Sequence, residues 1–419
     1  MSVQRIEADY LIETAYDPAK AVEAMAGEQS SGTFVPVPGE TPELKARSAA
    51  RVESLEALGE VDGPSLPGSG APREGGRRVT ARATLSWPLD NIGSSLPNLM
   101  ATVAGNLFEL KQFSGLRLLD IRLPDAFANA YPGPRFGVVG TRKLSGVKDR
   151  PLIGTIVKPS IGFTPEQTAE LVDLLCAAGI DFIKDDELQS DGSLCPFEER
   201  ARAVMRVIDR HADRQGRKVM FAFNLTGEID EMRRRHDLVE SLGGTCVMAS
   251  LNSVGVVGMI ALGRHSRLPI HAHRNGWGYL SRSPALGWSY VAWQKIWRLA
   301  GADHMHVNGL ANKFSEPDES VMASARACLA PMFDTKPCTV MPVFSSGQSA
   351  RQAPGTLAAL GSTDLIFAAG GGIMAHPGGP AEGVRALKEA FEAAMAGVPA
   401  QQYATTHPAL AAALQMASA

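Results

Sequence analysis

The sequence predicts an α/β protein, a C-terminal (β/α)8 barrel preceded by a smaller α+β domain. Three observations lead there. From residue 151 onward, short apolar runs rich in β-branched residues alternate with helix-period segments. Eight such pairs fit in roughly 245 residues, close to the usual size of a closed barrel of this kind. Residues 1–130 instead mix half-exposed strands and helices in no alternating order, the mark of a separate α+β domain.

In the first domain, DYLIETAY and RRVTARATLSWPL alternate like strands with one solvated face. AKAVEAMAGEQ, ELKARSAARVESLEALG and LPNLMATVAGNLFELKQFSG carry helical periodicity. These elements suit a ferredoxin-like domain over 1–130. VDGPSLPGSGAPREGGRR reads as a loop within it, and PGPRFGVVGTRKLSGVKDRP as a Gly- and Pro-rich linker at the start of the second domain, 131–398. There PLIGTIVKPS is the first strand. Its helix opens on Thr164, with Pro165 at the first helical position and Gln167 three residues after the cap. The strands IDFIKDDE, VMFAFNLTG, TCVMASLNS, LPIHAHRNGWG, HMHVNG, TVMPVFSSG and DLIFAAGGG follow, each with its helical segment. Near-continuous apolar strands belong to a parallel sheet covered on both faces. A doubly wound sheet is the alternative, but no G-x-G-x-x-G follows the first strand. Residues 399–419 form a tail in which ALAAALQMASA reads as a short helix and a frayed end.

Composition excludes several function classes. With 41 Lys+Arg against 44 Asp+Glu the net charge is −3, which gives no electrostatic case for nucleic acid or an anionic membrane. Five cysteines without a C-x-x-C pair fit free thiols in a reducing compartment rather than a zinc cluster. The N-terminus lacks a basic-then-apolar leader, and no apolar run reaches the ~20 residues needed to cross a bilayer. A soluble, cytoplasmic protein is the expectation.

The chemistry-bearing residues cluster at strand C-termini, the catalytic face of such barrels. They are Lys158 on the first strand, Lys184, Asp186 and Glu187 on the second, His271, His273 and Arg274 on the fifth, and His306 on the sixth, with Asn308 and Lys313 beyond it. Ser345, Ser346 and Gly347 end the seventh strand, and Gly370 to Gly372 the eighth. Strand alternation puts Lys184 and Asp186 on one face and Asp185 on the other. Two neighbouring carboxylates suit Mg²⁺. A protonated lysine would repel it, whereas a desolvated lysine amine that adds CO2 becomes a third anionic oxygen donor. Arg274 at a strand end suits a phosphate. Gly370 to Gly372 read either as a tight turn or as an anion cradle, and His271 either as a core histidine or as part of the site.

Taken together, these motifs resemble the ribulose-bisphosphate carboxylase (RuBisCO) family over nearly the whole chain. DFIKDDE places Lys184 where the family has its carbamylated lysine, with Asp186 and Glu187 as the other metal ligands. The resemblance implies that Lys158 of GTIVKP works on the enediol, and that HAHR supplies His273 as a base and Arg274 for phosphate. It implies that His306 of HMHVNGLANK meets phosphate and that Lys313 sits on a mobile loop and faces the substrate carboxylate. Ser345, Gly347, Gly370 and Gly371 fall at substrate hydroxyl and phosphate positions. Glu28 and Thr33 of EQSSGTF, and Asn106 of AGNLF, would reach the partner subunit's site in a homodimer or larger oligomer, and no small subunit is expected. Three departures point away from carbon fixation: Ser160 replaces a second lysine, Ser346 a glycine, and Trp277 a further histidine. The resemblance is to RuBisCO-like proteins that do not carboxylate. The expected reaction is Mg²⁺-dependent decarboxylation of a 3-oxo sugar-acid phosphate of the 3-oxo-isoapionate 4-phosphate type. Carboxyl transfer and hydrolysis of the same keto acid, an enolase or isomerase acting on a ketose phosphate such as a methylthioribulose phosphate, and a non-catalytic scaffold are the alternatives.

Overall fold

The structure is a computed structural model that describes residues 4–32, 37–72 and 77–416. The chain divides into two compact units, Met1–Tyr131 with Gly276–Ile296, and Pro132–Asn275 with Trp297–Ala419.

The first unit holds a five-stranded sheet. β1 (Arg5–Thr14), β2 (Arg51–Val61), β3 (Arg78–Pro88) and β4 (Phe113–Arg122) pair antiparallel in the order β4-β1-β3-β2. β1 shows the expected alternation, with Ile6, Ala8, Tyr10 and Ile12 buried. The stretch read as one helix over 43–59 is instead a short helix, Pro42–Ser48, followed by β2. β2 is an edge strand exposed along almost all its length, so it carries no period-two burial signal. Pairing with β3 overrides the helix preference of its Glu, Leu and Ala residues.

The second unit is a closed barrel of eight parallel strands: β5 (Leu152–Ile156), β6 (Phe182–Lys184), β7 (Met220–Asn224), β8 (Cys246–Ser250), β9 (Ile270–His273), β11 (His304–His306), β12 (Met341–Phe344) and β13 (Ile366–Ala368). β10 (Leu286–Trp288) lies outside it, parallel to β4 in the first unit's sheet. Leu152, Phe182, Met220, Met248, Met341, Val343 and Ile366 form part of the barrel's core. Thr164 and Gln167 make the anticipated capping box at the helix Pro165–Ala177. The stretch read as a linker contains a helix, Gly137–Ser145. Its first turn is held by a residue far along the chain: the Asp303 carboxylate accepts from the N–H groups of Phe136 (2.6 Å) and Gly137 (2.8 Å). Asp303 and Asp181 sit at the N-terminal ends of β11 and β6. Asp181 there pairs with Arg150 (2.5 Å) and Arg217 (2.6 Å), a stabilising role on the face opposite the site. All five cysteines are buried free thiols. Among the described residues, no helix is long and apolar enough to cross a membrane.

Candidate active site

β6 leads into the run Lys184–Glu187, whose side chains divide between two faces as expected. Lys184 has no exposed surface, and its Nζ donates to the Asp185 carbonyl (2.7 Å) and lies 3.7 Å from Glu187 Oε2. Asp186 Oδ2 accepts from Lys158 Nζ (2.6 Å), which also donates to Ser160 (2.8 Å). Glu187 Oε2 lies 3.4 Å from His273 Nε2. Asp185 points the other way, accepting from the Asn224 N–H (2.9 Å) and pairing with Arg200 (3.3 Å) of the helix Phe197–Gln215. Asn224 in turn donates to the carbonyls of Glu187 (3.2 Å) and Gln189 (3.0 Å), fixing the turn after the strand. The pair Lys158–Asp186 and the set Lys184–Glu187–His273 thus lie side by side, with Lys184 and Asp186 interacting electrostatically.

Its electrostatics suit a cation site. Burial lowers the Lys184 amine below the ordinary lysine range, against the pull of Glu187, Asp186 and Asp185. Burial raises Asp186, but the bond from Lys158 and the Leu188 N–H leave it below the usual carboxylate range. Glu187 is likewise penalised by burial and held low by His273 and Lys184. Burial, then Lys184, depress His273 to about 4, so it is neutral at pH 7. Two ionised carboxylates flank an amine with an enhanced neutral fraction, which are the reactants a lysine carbamate and a Mg²⁺ ion require. Asp186, Glu187 and a carbamate on Lys184 fit that ion as an all-oxygen set.

A second cluster joins the ends of β9, β11 and β12. His306 Nε2 meets His271 Nε2 (2.8 Å), and His306 Nδ1 meets Ser345 Oγ (3.0 Å). Both histidines are buried, and burial drives each well below the usual imidazole range. Arg274 is buried against the Glu316 carboxylate, which also accepts from Asn308 Nδ2 and Ser320 Oγ (both 2.8 Å). Ser346 Oγ donates to Asn308 Oδ1 (2.8 Å).

Lys313 is exposed, its amine 5.3 Å from the Phe314 ring, and its N–H reaches Ser346 O at 3.4 Å. Gly347, at φ +81°, lies beside Lys313, and a side chain on Gly370 would meet Ile156 and Lys158. In the first unit, Glu28 ends the helix Pro18–Glu28 and Asn106 opens a single turn of 3-10 helix, Asn106–Glu109. With its amide turned to exchange O and N, Gln29 donates to Ala101 O (3.1 Å) and accepts from the Asn106 N–H (3.0 Å). Thr33 lies outside the described residues. Trp277 packs on Tyr290 and Trp293.

Sequence reasoning missed Glu316, which lies in a loop and gains its meaning only from Arg274 across the fold. It also missed a cluster of buried His236 with Asp237 and His265, in which one ligand atom from each residue lies within 4.8 Å of the others. His236 Nε2 already accepts from the Arg267 N–H (3.1 Å), which places the ring's proton on Nδ1, the nitrogen facing Asp237. That tautomer makes the cluster a hydrogen-bonded clasp between helices rather than a metal centre.

Comparison with known proteins shows the family of the chain. Residues 137–417 match the ribulose bisphosphate carboxylase large chain catalytic domain, and residues 6–127 match its N-terminal domain. A 3-oxo-isoapionate-4-phosphate transcarboxylase/hydrolase of Xanthobacter autotrophicus is 61% identical over 411 residues, 98% of this chain and 99% of that protein. A 3-oxo-isoapionate-4-phosphate decarboxylase of Rhizobium etli is 46% identical over 407 residues, 97% of each chain. The crystal structure of a rubisco-like protein from Burkholderia fungorum superimposes with a TM-score of 0.92 at 49% identity, covering 99% of this chain and 100% of that one. The chain belongs to the ribulose bisphosphate carboxylase large-chain family.

Proposed function

We propose that the chain acts on 3-oxo-isoapionate 4-phosphate, breaking the bond to its carboxyl carbon so that an enediolate is left, re-forming that bond at the enediolate's other carbon, and then adding water to the new ketone so that the adjoining carbon–carbon bond breaks and two carboxylic acids leave. The observation that carries this reading is the buried Lys184 amine between two ionised carboxylates, with Lys158 and neutral His273 in contact with them. The fate of the carboxyl group rests on the 61% identity to a transcarboxylase/hydrolase, against 46% to the decarboxylase.

Each residue then has a task. The Lys184 nitrogen adds CO2, forming an N–C bond and releasing a proton, and the resulting carbamate would hold Mg²⁺ with Asp186 and Glu187. When bound, the ion supplies positive charge opposite the enediolate oxygens. Lys158, held on Asp186, is placed to donate a proton to the carbanion left when water cleaves the carbon–carbon bond. His273, neutral at pH 7, can take a proton from a substrate hydroxyl. Lys313 meets the substrate carboxylate, and the backbone of Gly347, Gly370 and Gly371 meets the phosphate. Arg274, His306 and Ser345 line the other end of the substrate. Glu28 and Asn106 complete the site of a second copy in a homodimer.

The test is isotopic. Keto acid labelled with ¹³C at the carboxyl carbon, incubated with enzyme, Mg²⁺ and bicarbonate, should yield a labelled carboxylic acid product. Label appearing wholly as dissolved CO2 would make the chain a decarboxylase. Unconverted keto acid would remove the substrate assignment.

A further inference from the structure

Arg274 is the strongest anion-binding side chain at its end of the site, yet its charge is already matched. It is 6% exposed, and its partner Glu316 is also largely enclosed, with a side-chain exposure of 13%. Glu316 is not a loop acid that happens to touch an arginine. Asn308 and Ser320 each donate to it at 2.8 Å, and Asn312 Nδ2 holds its carbonyl at 3.0 Å. Asn308 is itself locked by Ser346, and both adopt left-handed backbone (φ +67° and +70°), which non-glycine residues rarely accept. Two residues held in that conformation, bonded to each other and then to Glu316, make the carboxylate a fixed part of the wall. His306 is committed too, with one ring nitrogen on His271 and the other on Ser345.

We propose that Glu316 is a specificity-determining residue: it cancels the Arg274 charge, so this end of the site accepts an uncharged, hydroxyl-bearing terminus and rejects a second phosphate. The inference rests on the sugar-phosphate reading above and deepens it, restricting the substrate class to monophosphates. A dianion entering here meets a fixed carboxylate at the guanidinium it needs. A hydroxyl instead finds a carboxylate to donate to and brings no charge for that carboxylate to repel. Discrimination comes from the repulsive element, the usual route when attraction alone cannot separate related ligands.

Two unreactive polyols test this, arabinitol 5-phosphate and arabinitol 1,5-bisphosphate, titrated calorimetrically into the full-length enzyme with Mg²⁺ and bicarbonate. In the unaltered enzyme the bisphosphate should bind no more tightly than the monophosphate. In Glu316→Gln, which keeps an acceptor for Asn308 and removes the charge, the bisphosphate should gain about tenfold while the monophosphate stays within about threefold, because only the second phosphate feels the deleted charge. A merely structural role for Glu316 would weaken both ligands alike. An unaltered enzyme that gains about tenfold from the second phosphate overturns the proposal, even where the variant does not fold, and so does a variant whose preference is unmoved. The isotope experiment reads the reaction independently, so a failure there is assigned to the substrate and a failure here to Glu316.

Discussion

A fully buried lysine is costly to keep charged, and Lys184 has only partial compensation, from Glu187 at 3.7 Å and a backbone carbonyl. In a residue kept for stability that arrangement would be wasteful. In a residue that must add CO2 it supplies the free amine. The expected outcome for Lys184→Ala follows from both halves of the argument. Turnover should fall to background, and bicarbonate should no longer increase Mg²⁺ retention measured by equilibrium dialysis. Thermal stability should hold or rise, because a desolvated ammonium has been removed. A variant that loses activity together with several degrees of melting temperature would mean that the lysine holds the fold, and the carbamate account would fail.

At the scale of elements, the site depends on how the turn after β6 is fastened. Asp185 carries that load from the side of the strand facing the helix Phe197–Gln215, where Arg200 joins it to the carbonyls of Ser190 (2.8 Å) and Cys195 (3.0 Å). Arg200→Ala leaves a buried carboxylate unpaired, so a loss of about 3–5 kcal/mol in urea unfolding is expected. Arg200→Met should be about as disruptive, since what hurts is the abandoned charge and not the lost volume. The barrel, its capped helix Pro165–Ala177 and the strand-end residues from Lys158 to His273 were legible because each is written in local pattern: apolar runs, a capping box, charges abutting a strand. β2 was misread because its exposed edge has no alternation, and the helix Gly137–Ser145 because Asp303, 166 residues beyond Gly137, secures its start. The Arg274–Glu316 pair is invisible in sequence for the same reason, since nothing local distinguishes Glu316 from any loop acid.

Over the whole molecule, two consequences can be measured. Burial holds His304 at about 3 and His273 at about 4, and drives His271 and His306 down as well. The unfolded chain therefore binds more protons below about pH 6.5, so each such histidine costs stability at about 1.4 kcal/mol per pH unit as pH falls toward its folded value. Asp303, raised by burial to about 6, acts with the opposite sign between its folded and unfolded values and offsets about one histidine there. Urea midpoints should decline from pH 6.5 to 4.5, and a flat profile would mean the imidazoles are not buried neutral. The other consequence concerns the assembly. If Glu28 and Asn106 serve a second copy's barrel, Lys184→Ala and Glu28→Ala each inactivate a homodimer through a different chain. A heterodimer of the two then has one site with both defects and one with neither. Random re-association of equal amounts should restore about a quarter of the unaltered activity, half of the dimers being mixed with one intact site each. Mixtures that stay inactive after verified subunit exchange would place Glu28 and Lys184 in service of the same chain's site.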